Sequence, residues 1–562
     1  MFTDKAGIKQ LIETLVKKGL REVVLSPGSR NAPLSLSFYH HKDIQLTVIP
    51  DERSAGYFAL GMAQQLRRPV AVVCTSGTAA LNYAPAIAEA YYQKIPLLVL
   101  TADRPVAWVD QADGQTIRQR DIFVNYVKHG YEIPGEGNSE EELWFIRRIA
   151  SQAWDQTLLP GEGPVHINIP LSEPLYGRSA EMPSVKPIET YIPEQKLSES
   201  QLQELAARWN QYDRKLILSG LVEPNEKLNT LLEEIAEDES VSVLTETTGN
   251  FHSEKFNPCI DRIISSLPKE LNQVLQPQLL ITFGGPVISK RVKVFIRKNS
   301  PLEHWHIDTS ELHLDTYQCL THNIPLSPLS FFSQIKPHLK TKQSDYRKQW
   351  KEMDLLTEER HQAFMKNCPF SDLSAFESIL KHIPENSDLQ MSNSSPVRYV
   401  QLFKAGKKLS YHSNRGASGI DGCTSTAAGA AYASGKKTTL ITGDIGFFYD
   451  SNGLWNKYLS KQLRIVVINN GGGGIFRIIE GPEHNDEIET LFETRQNMHA
   501  EFLCKAYGLN YFKASNKQEL EESLQSFYGE KNREASVLEI FTESQLNPKI
   551  LKDYFKYLKQ GK

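Results

Sequence analysis

Cysteine is scarce. Six residues in 562, at positions 74, 259, 319, 368, 423 and 504, lie far apart and form no CxxC pair. That spacing excludes a zinc ribbon and argues against a disulfide scaffold; reduced thiols in a cytoplasmic protein fit it best. Long apolar runs are missing too. A membrane-crossing helix takes about 20 mostly apolar residues, and runs such as IPLLVL (95–100) and IVVI (465–468) are strand-sized. The opening stretch MFTDKAGIKQLIETLVKKG is charged throughout, so no signal peptide is expected. Charge of one sign is absent: 63 Lys and Arg against 67 Asp and Glu give a net −4. This argues against a nucleic-acid binder driven by bulk charge. No short internal repeat occurs.

What is present is alternation. The length points to roughly three or four domains. Residues 4–19 put Ile8, Leu11, Ile12, Leu15 and Val16 on one helical face, with Gly19 ending the helix. Unbroken apolar strands follow at 22–26, 45–49, 70–75, 97–101 and 165–170, with helical stretches between them. Strands apolar on both faces and split by helices predict a parallel sheet covered on both sides. A second unit has strands at 215–220, 241–246, 278–285 and 304–308, and a third at 438–444 and 464–470. The expected fold is α/β, with three doubly wound parallel-sheet domains at 1–176, 197–345 and 346–562. A proline-bearing linker spans 177–196. No GxGxxG follows the first strand of the middle unit, so neither flavin nor NAD is supported there. His304 and His306 alternate in HWHID, which reads as packing or a surface edge. The C-terminal stretch from 529 reads as a strand and then a solvated helix.

The clearest chemistry lies in the third unit. The strand TTLITGD ends at Asp444, a helix is predicted over 451–462, and RIVVINN ends at Asn469 and Asn470, followed by four glycines, 471–474. Parallel strands finish at one sheet edge, where open α/β sheets bind ligands. A carboxylate, an amide oxygen and a backbone carbonyl are a donor set that Mg²⁺ accepts, with a diphosphate and water completing it. The small-residue run 419–435 leads into a helix whose first amides can meet the same phosphates. A lone GD or GGGG reads as a cap and a flexible loop; the combination favours the ligand site. In the first unit, Glu52 follows the strand QLTVIP and opens the helical stretch 54–66. It reads either as a first-turn glutamate stabilised by the helix dipole or as a site carboxyl. Loop arginines recur at strand ends, in SPGSR, TADRP, SNSSPVR and SNRGASGIDG. Arginine matches carboxylates bidentately, so the set suggests a substrate with several carboxylates.

Asp444 followed 25 positions later by the asparagine pair resembles the diphosphate-binding motif of thiamine diphosphate enzymes, with Ile445 where that motif has a third-position glycine. SPGSRNAPL, DERSAGYFALG, TADRP, GQTIRQ, GGPVISKR, SNSSPVR, SNRGASGIDG and INNGGGGIF occur in this order. Together they are similar to the 2-succinyl-5-enolpyruvyl-6-hydroxy-3-cyclohexene-1-carboxylate synthase family of menaquinone biosynthesis. The resemblance covers about residues 3–480, and SNRGASGIDG is its most specific piece.

It implies a transferase that decarboxylates 2-oxoglutarate and adds the succinyl-semialdehyde carbanion to isochorismate, with thiamine diphosphate and Mg²⁺ or Mn²⁺ as cofactors. It implies a pyrimidine-binding first domain, a diphosphate- and metal-binding third domain, and a homodimer or homotetramer with sites between subunits. Glu52 matches the cofactor-activating carboxyl; Asp444, Asn470 and the Gly472 carbonyl match the metal ligands. Asn469 belongs to the motif without a firm ligand role. Ile420 matches the apolar prop under the cofactor. Ser29, Arg30, Arg104, Gln115, Lys290, Arg291, Ser394, Arg398 and Arg415 match substrate-pocket positions, with Arg398 and Arg415 as carboxylate holders. Ile475 and Phe476 match the apolar wall. Gly114 stands where the family often has Asn. A different thiamine diphosphate decarboxylase or acetolactate-type carboligase, and a non-catalytic scaffold of the same fold, remain the alternatives at this point.

Overall fold

The computed structural model describes residues 1–268, 270–310, 312–404, 408–478 and 487–561. Helix Ala6–Lys18 buries Ile8, Leu11, Ile12, Leu15 and Val16, and Gly19 closes it at a φ of 123°. The same logic holds along the chain: strands whose residues are all apolar become central strands, and helices cover both faces.

Three separate parallel sheets result. The first joins Glu22–Leu25, Gln45–Val48, Val70–Cys74, Leu97–Asp103, His129–Glu132 and Val165–Pro170. The third joins Asp388–Met391, Ser410–Ser413, Thr438–Gly443, Leu463–Asn469, Asn510–Ala514 and Ser536–Phe541. Counted along the chain, both run 2-1-3-4-6-5 across the sheet. The first and third units therefore share one topology, a likeness that the apolar pattern alone did not establish. The central sheet joins Lys215–Ser219, Val241–Thr245, Leu279–Phe283, Glu303–Ile307 and His322–Ile324 in the order 2-1-3-4-5. In all three the strand order reverses beside the first strand, which opens a crevice at the C-terminal sheet edge.

The helix expected over 451–462 does not form. A short helix, Asp444–Tyr449, and a single 3-10 turn, Ser451–Leu454, take its place. The buried Asp450 carboxylate accepts the Ser425 N–H at 2.8 Å and the Ser425 hydroxyl at 2.9 Å, and this fixes a turn where periodicity suggested a helix. His304 and His306 lie inside the central sheet, both buried, as packing rather than as a surface edge. The C-terminal strand and helix form as Ser536–Phe541 and Leu546–Gln560; the helix is not solvated all round, since Ile550, Leu551, Tyr554 and Leu558 are buried. Among the described residues, no helix is long and apolar enough to cross a membrane.

The first and third units meet through helices Glu52–Leu66 and Cys423–Ser434. Glycines let the two backbones touch. A Cβ on Gly61 would stand 2.0 Å from the Thr426 carbonyl oxygen, and one on Gly429 2.0 Å from that of Phe58. Neither oxygen can swing aside, so Gly61→Ala is expected to destabilise the protein by about 1–3 kcal/mol. Thermal unfolding should show a clearly lower Tm; an unchanged Tm contradicts this packing.

Candidate active site

The crevice of the third sheet opens between Asp388–Met391 and Thr438–Gly443. Its cleft, of about 870 Å³, is lined by Ser394, Ile420, Asp444, Asn470, Gly472, Ile475 and Phe476 among others. Asp444 begins the helix that leaves the strand. Its Oδ1 accepts the Ile445 N–H at 2.8 Å, and its Oδ2 accepts the Gly472 N–H at 2.8 Å and the Gln496 side-chain N–H at 2.7 Å. Burial raises the Asp444 pKa, and these donors pull it back. Gly472 has a φ of 147°, and a Cβ there would stand 2.6 Å from the Glu493 carbonyl oxygen, so the loop tolerates only glycine at this point.

The asparagine pair divides its work. Asn469 is tied into the protein: its amide donates to Met498 O at 3.0 Å and to Glu539 Oε1 at 2.7 Å, and its Oδ1 accepts the Gly471 N–H. Among the described residues, Asn470 donates only to Asp372 Oδ2, at 3.1 Å, and it lines the cleft. Asp444, Asn470 and the Gly472 carbonyl can thus present oxygen donors only, a hard set that suits Mg²⁺. Of the run 419–435, Ile420 lines the cleft. The first-turn amide of Ser425 is given to Asp450.

A second cleft, of about 650 Å³, adjoins the first through Ser395 and Ile475 and is lined by Lys290, Arg291, Arg398 and Asp261. Arg398 donates to the Ser394 carbonyl at 2.5 Å. Arg415 donates to Asn393 Oδ1 at 3.0 Å, and Asn393 lines the first cleft. Burial lowers the pKa of both guanidiniums, and Arg398 lowers that of Arg415 further. Among the described residues, none of Lys290, Arg291, Arg398 and Arg415 has a carboxylate within ion-pair distance. The nearby Glu246 carboxyl is occupied by the N–H groups of Ile288 and Ser289, each at 2.7 Å, and burial pushes its pKa up to about 7. Lys290, Arg291 and Arg398 thus share the second cleft with the Asp261 carboxylate, and Arg415 reaches the first through Asn393.

The first-unit residues gather elsewhere. Ser29 is exposed after the first strand, and Arg30 is buried beside it, bonded to the Leu171 carbonyl at 2.9 Å and paired with Glu173 at 3.1 Å. Arg104 follows Leu97–Asp103 and bonds the Gly114 carbonyl at 2.9 Å; burial and Arg104 lower the Arg30 pKa. Gln115, exposed at a φ of 54°, lies against Gly77. Glu52 is the first residue of helix Glu52–Leu66, with Asp51 capping it through the Ser54 N–H at 3.1 Å. A helix N-terminus favours a carboxylate, yet burial dominates and raises the Glu52 pKa. None of these five residues lines either cleft of the same chain. One chain therefore brings together the third-unit set with Lys290 and Arg291, and leaves the Glu52 set apart.

Two residues that shape the site had no local signal. Asp372, whose pKa burial pushes up to about 6, holds Asn470 from 98 positions away, and Gln496 holds Asp444 from 52 positions away.

Comparison with known proteins agrees with this geometry. Residues 5–122 match the thiamine pyrophosphate enzyme N-terminal TPP binding domain, 185–391 the middle domain of thiamine pyrophosphate enzymes, and 394–540 the C-terminal TPP binding domain. A 2-succinyl-5-enolpyruvyl-6-hydroxy-3-cyclohexene-1-carboxylate synthase of Christiangramia forsetii is 43% identical over 98% of this chain and 98% of its own. One from Flavobacterium johnsoniae is 43% identical over 99% of this chain and all of its own, and one from Porphyromonas gingivalis 40% identical over 99% and 98%. The chain belongs to the 2-succinyl-5-enolpyruvyl-6-hydroxy-3-cyclohexene-1-carboxylate synthase family. It is a thiamine diphosphate-dependent, carbon–carbon bond-forming transferase with the three-domain α/β fold of that class. The scaffold alternative falls with this membership.

Proposed function

We propose that the protein removes carbon dioxide from 2-oxoglutarate and joins the remaining four-carbon unit to isochorismate, a step of menaquinone biosynthesis. The observation that carries this reading is the group of cations beside an oxygen-donor cage: Lys290, Arg291 and Arg398 line one cleft and Arg415 stands behind Asn393 of the next, and among the described residues none of the four has a carboxylate within ion-pair distance. Each substrate brings two carboxylates, and an acetolactate-type reaction offers fewer charges to match four cations.

The residue roles follow from placement. Asp444, Asn470 and the Gly472 carbonyl would hold Mg²⁺ or Mn²⁺ against the diphosphate, and Ile420 would support the coenzyme from below. Bound thiamine diphosphate supplies an electron sink for loss of carbon dioxide. Glu52, its pKa raised by burial, would hydrogen-bond the aminopyrimidine N1′ from a second copy of the chain. Ser29, Arg30, Arg104 and Gln115 would come with Glu52 and close the substrate pocket opposite Arg398 and Arg415. Ile475 and Phe476 would keep water from the reacting carbon. This arrangement needs a homodimer or a homotetramer. Six free cysteines support a cytoplasmic location. The domain limits 1–176, 197–345 and 346–562, joined by 177–196, are part of the same proposal.

The direct test is incubation with 2-oxoglutarate, isochorismate, thiamine diphosphate and Mg²⁺, followed by product mass. Carbon dioxide released from pyruvate but not from 2-oxoglutarate would overturn the substrate assignment. Arg398→Ala and Arg415→Ala are each expected to raise KM for an acid substrate by about 10–100-fold, the worth of a charge-assisted hydrogen bond. Coenzyme affinity should change much less. Unchanged KM values in both variants remove these two residues from the pocket.

A further inference from the structure

Outside the clefts, one cluster in the central domain stands without an assigned role. Asp315 and Cys319 lie between the strands Glu303–Ile307, which carries His304, and His322–Ile324. Ligand-type atoms of His304, Asp315 and Cys319 lie within 4.8 Å of one another.

Hydrogen bonding fixes the state of His304. Thr282 Oγ1 lies 2.8 Å from His304 Nε2 and 2.8 Å from His306 Nδ1. One hydroxyl has one proton to give. The Asp308 carboxylate, 3.8 Å from His306 Nε2, favours the proton on that nitrogen and leaves His306 Nδ1 as the acceptor. The hydroxyl therefore donates to His306 Nδ1 and accepts the N–H of His304 Nε2. His304 Nδ1 is left with a bare lone pair. It belongs to a fully buried side chain and has no hydrogen-bond partner, an expensive state for a buried nitrogen unless something fills it. Tyr317 packs its ring edge-on against the imidazole, with centroids 5.7 Å apart, and holds it in place.

The other two residues are similarly prepared. Asp315 Oδ1 accepts the N–H groups of Cys319 at 2.8 Å and Leu320 at 3.1 Å, which orients the carboxylate and leaves Oδ2 over. Cys319 is only partly buried, so an ion can reach the cluster from solvent. Oriented second-neighbour bonds of this kind are what hold metal ligands in register.

We infer that His304 Nδ1, Asp315 Oδ2 and Cys319 Sγ form a binding site for a divalent cation of the zinc class, with a fourth position for water. Imidazole and thiolate favour Zn²⁺ over the hard Mg²⁺. On binding, the Cys319 thiol releases its proton to solvent, and thiolate and carboxylate together neutralise the ion's two positive charges. The ion would tie Asp315 and Cys319 to the buried sheet.

Co²⁺ is the probe. The full chain, with thiamine diphosphate and excess Mg²⁺, is titrated with Co²⁺ and followed in the near-ultraviolet and visible. The expected result is a thiolate-to-cobalt charge-transfer band saturating at one equivalent per chain and displaced by Zn²⁺. Cys319→Ser, a near-isosteric change at a partly exposed position, should lose that band and bind Zn²⁺ about tenfold or more weakly. Cys368→Ser, which alters the other partly buried thiol, should keep the band. Retained turnover of 2-oxoglutarate by Cys319→Ser shows that the variant is folded. No thiolate band in the unaltered protein, or a band of equal strength in Cys319→Ser, overturns the assignment.

Discussion

Glu52→Gln is expected to lower kcat by about 10²–10⁴-fold, the usual worth of a positioned proton-transfer group, while thiamine diphosphate still binds. The substitution keeps the size of the side chain and its ability to hydrogen-bond. It removes the ability of the side chain to take up and release a proton. The helix N-terminus at Glu52 would by itself lower the pKa, but burial outweighs it and raises the value, the direction an activating carboxyl needs. Steady-state kinetics together with calorimetric titration of the coenzyme separate the two effects. A variant with unaltered kcat contradicts the role given to Glu52, and one that loses the coenzyme contradicts the idea that Glu52 acts mainly on proton transfer.

The second large effect belongs to Asp444. Asp444→Ala removes the carboxylate proposed to hold the metal and the acceptor for three N–H groups, those of Ile445, Gly472 and Gln496. Coenzyme affinity in the presence of Mg²⁺ is expected to fall by about 100-fold or more, since loss of even a supporting partner of a metal ligand costs 10–100-fold. Chelation of the divalent ion from the unaltered protein should release the coenzyme in the same way. Asp444→Asn keeps an acceptor oxygen and should lie between the two. Equal coenzyme affinity with and without the metal would contradict the cage.

The ends of the central strands were readable in the sequence because parallel strands covered on both faces announce themselves as unbroken apolar runs. Asp444 and Asn470 stand at the ends of two such runs, so one sheet edge could be placed from them. The short edge strands were not readable. His129–Glu132 and Ser410–Ser413 are polar or partly exposed, and only pairing with a neighbour makes them strands. Asp372 reaches the cleft, and Gln496 reaches Asp444, through tertiary packing across long stretches of chain, and no spacing rule points to them. The misread helix over 451–462 shows the opposite failure: a buried carboxylate, Asp450, reorganised a segment whose residue types allowed helix. His304 looked like packing because its neighbours in HWHID are a strand pattern. Only the shared Thr282 hydroxyl and the unpaired ring nitrogen mark it out.

In one chain the Glu52 set and the Asp444 cage line different surfaces, so the account requires two copies to build each site. Subunit complementation tests this most directly. Glu52→Gln and Asp444→Ala, each nearly inactive alone, are co-expressed with different tags and the mixed oligomers isolated. If each site takes its carboxyl from one copy and its oxygen cage from the other, one site of every mixed pair carries both lesions and the other carries none. Mixed dimers should then recover about half of the unaltered activity per dimer. Activity no higher than that of either parent variant would place both groups of a site on the same chain and contradict the account.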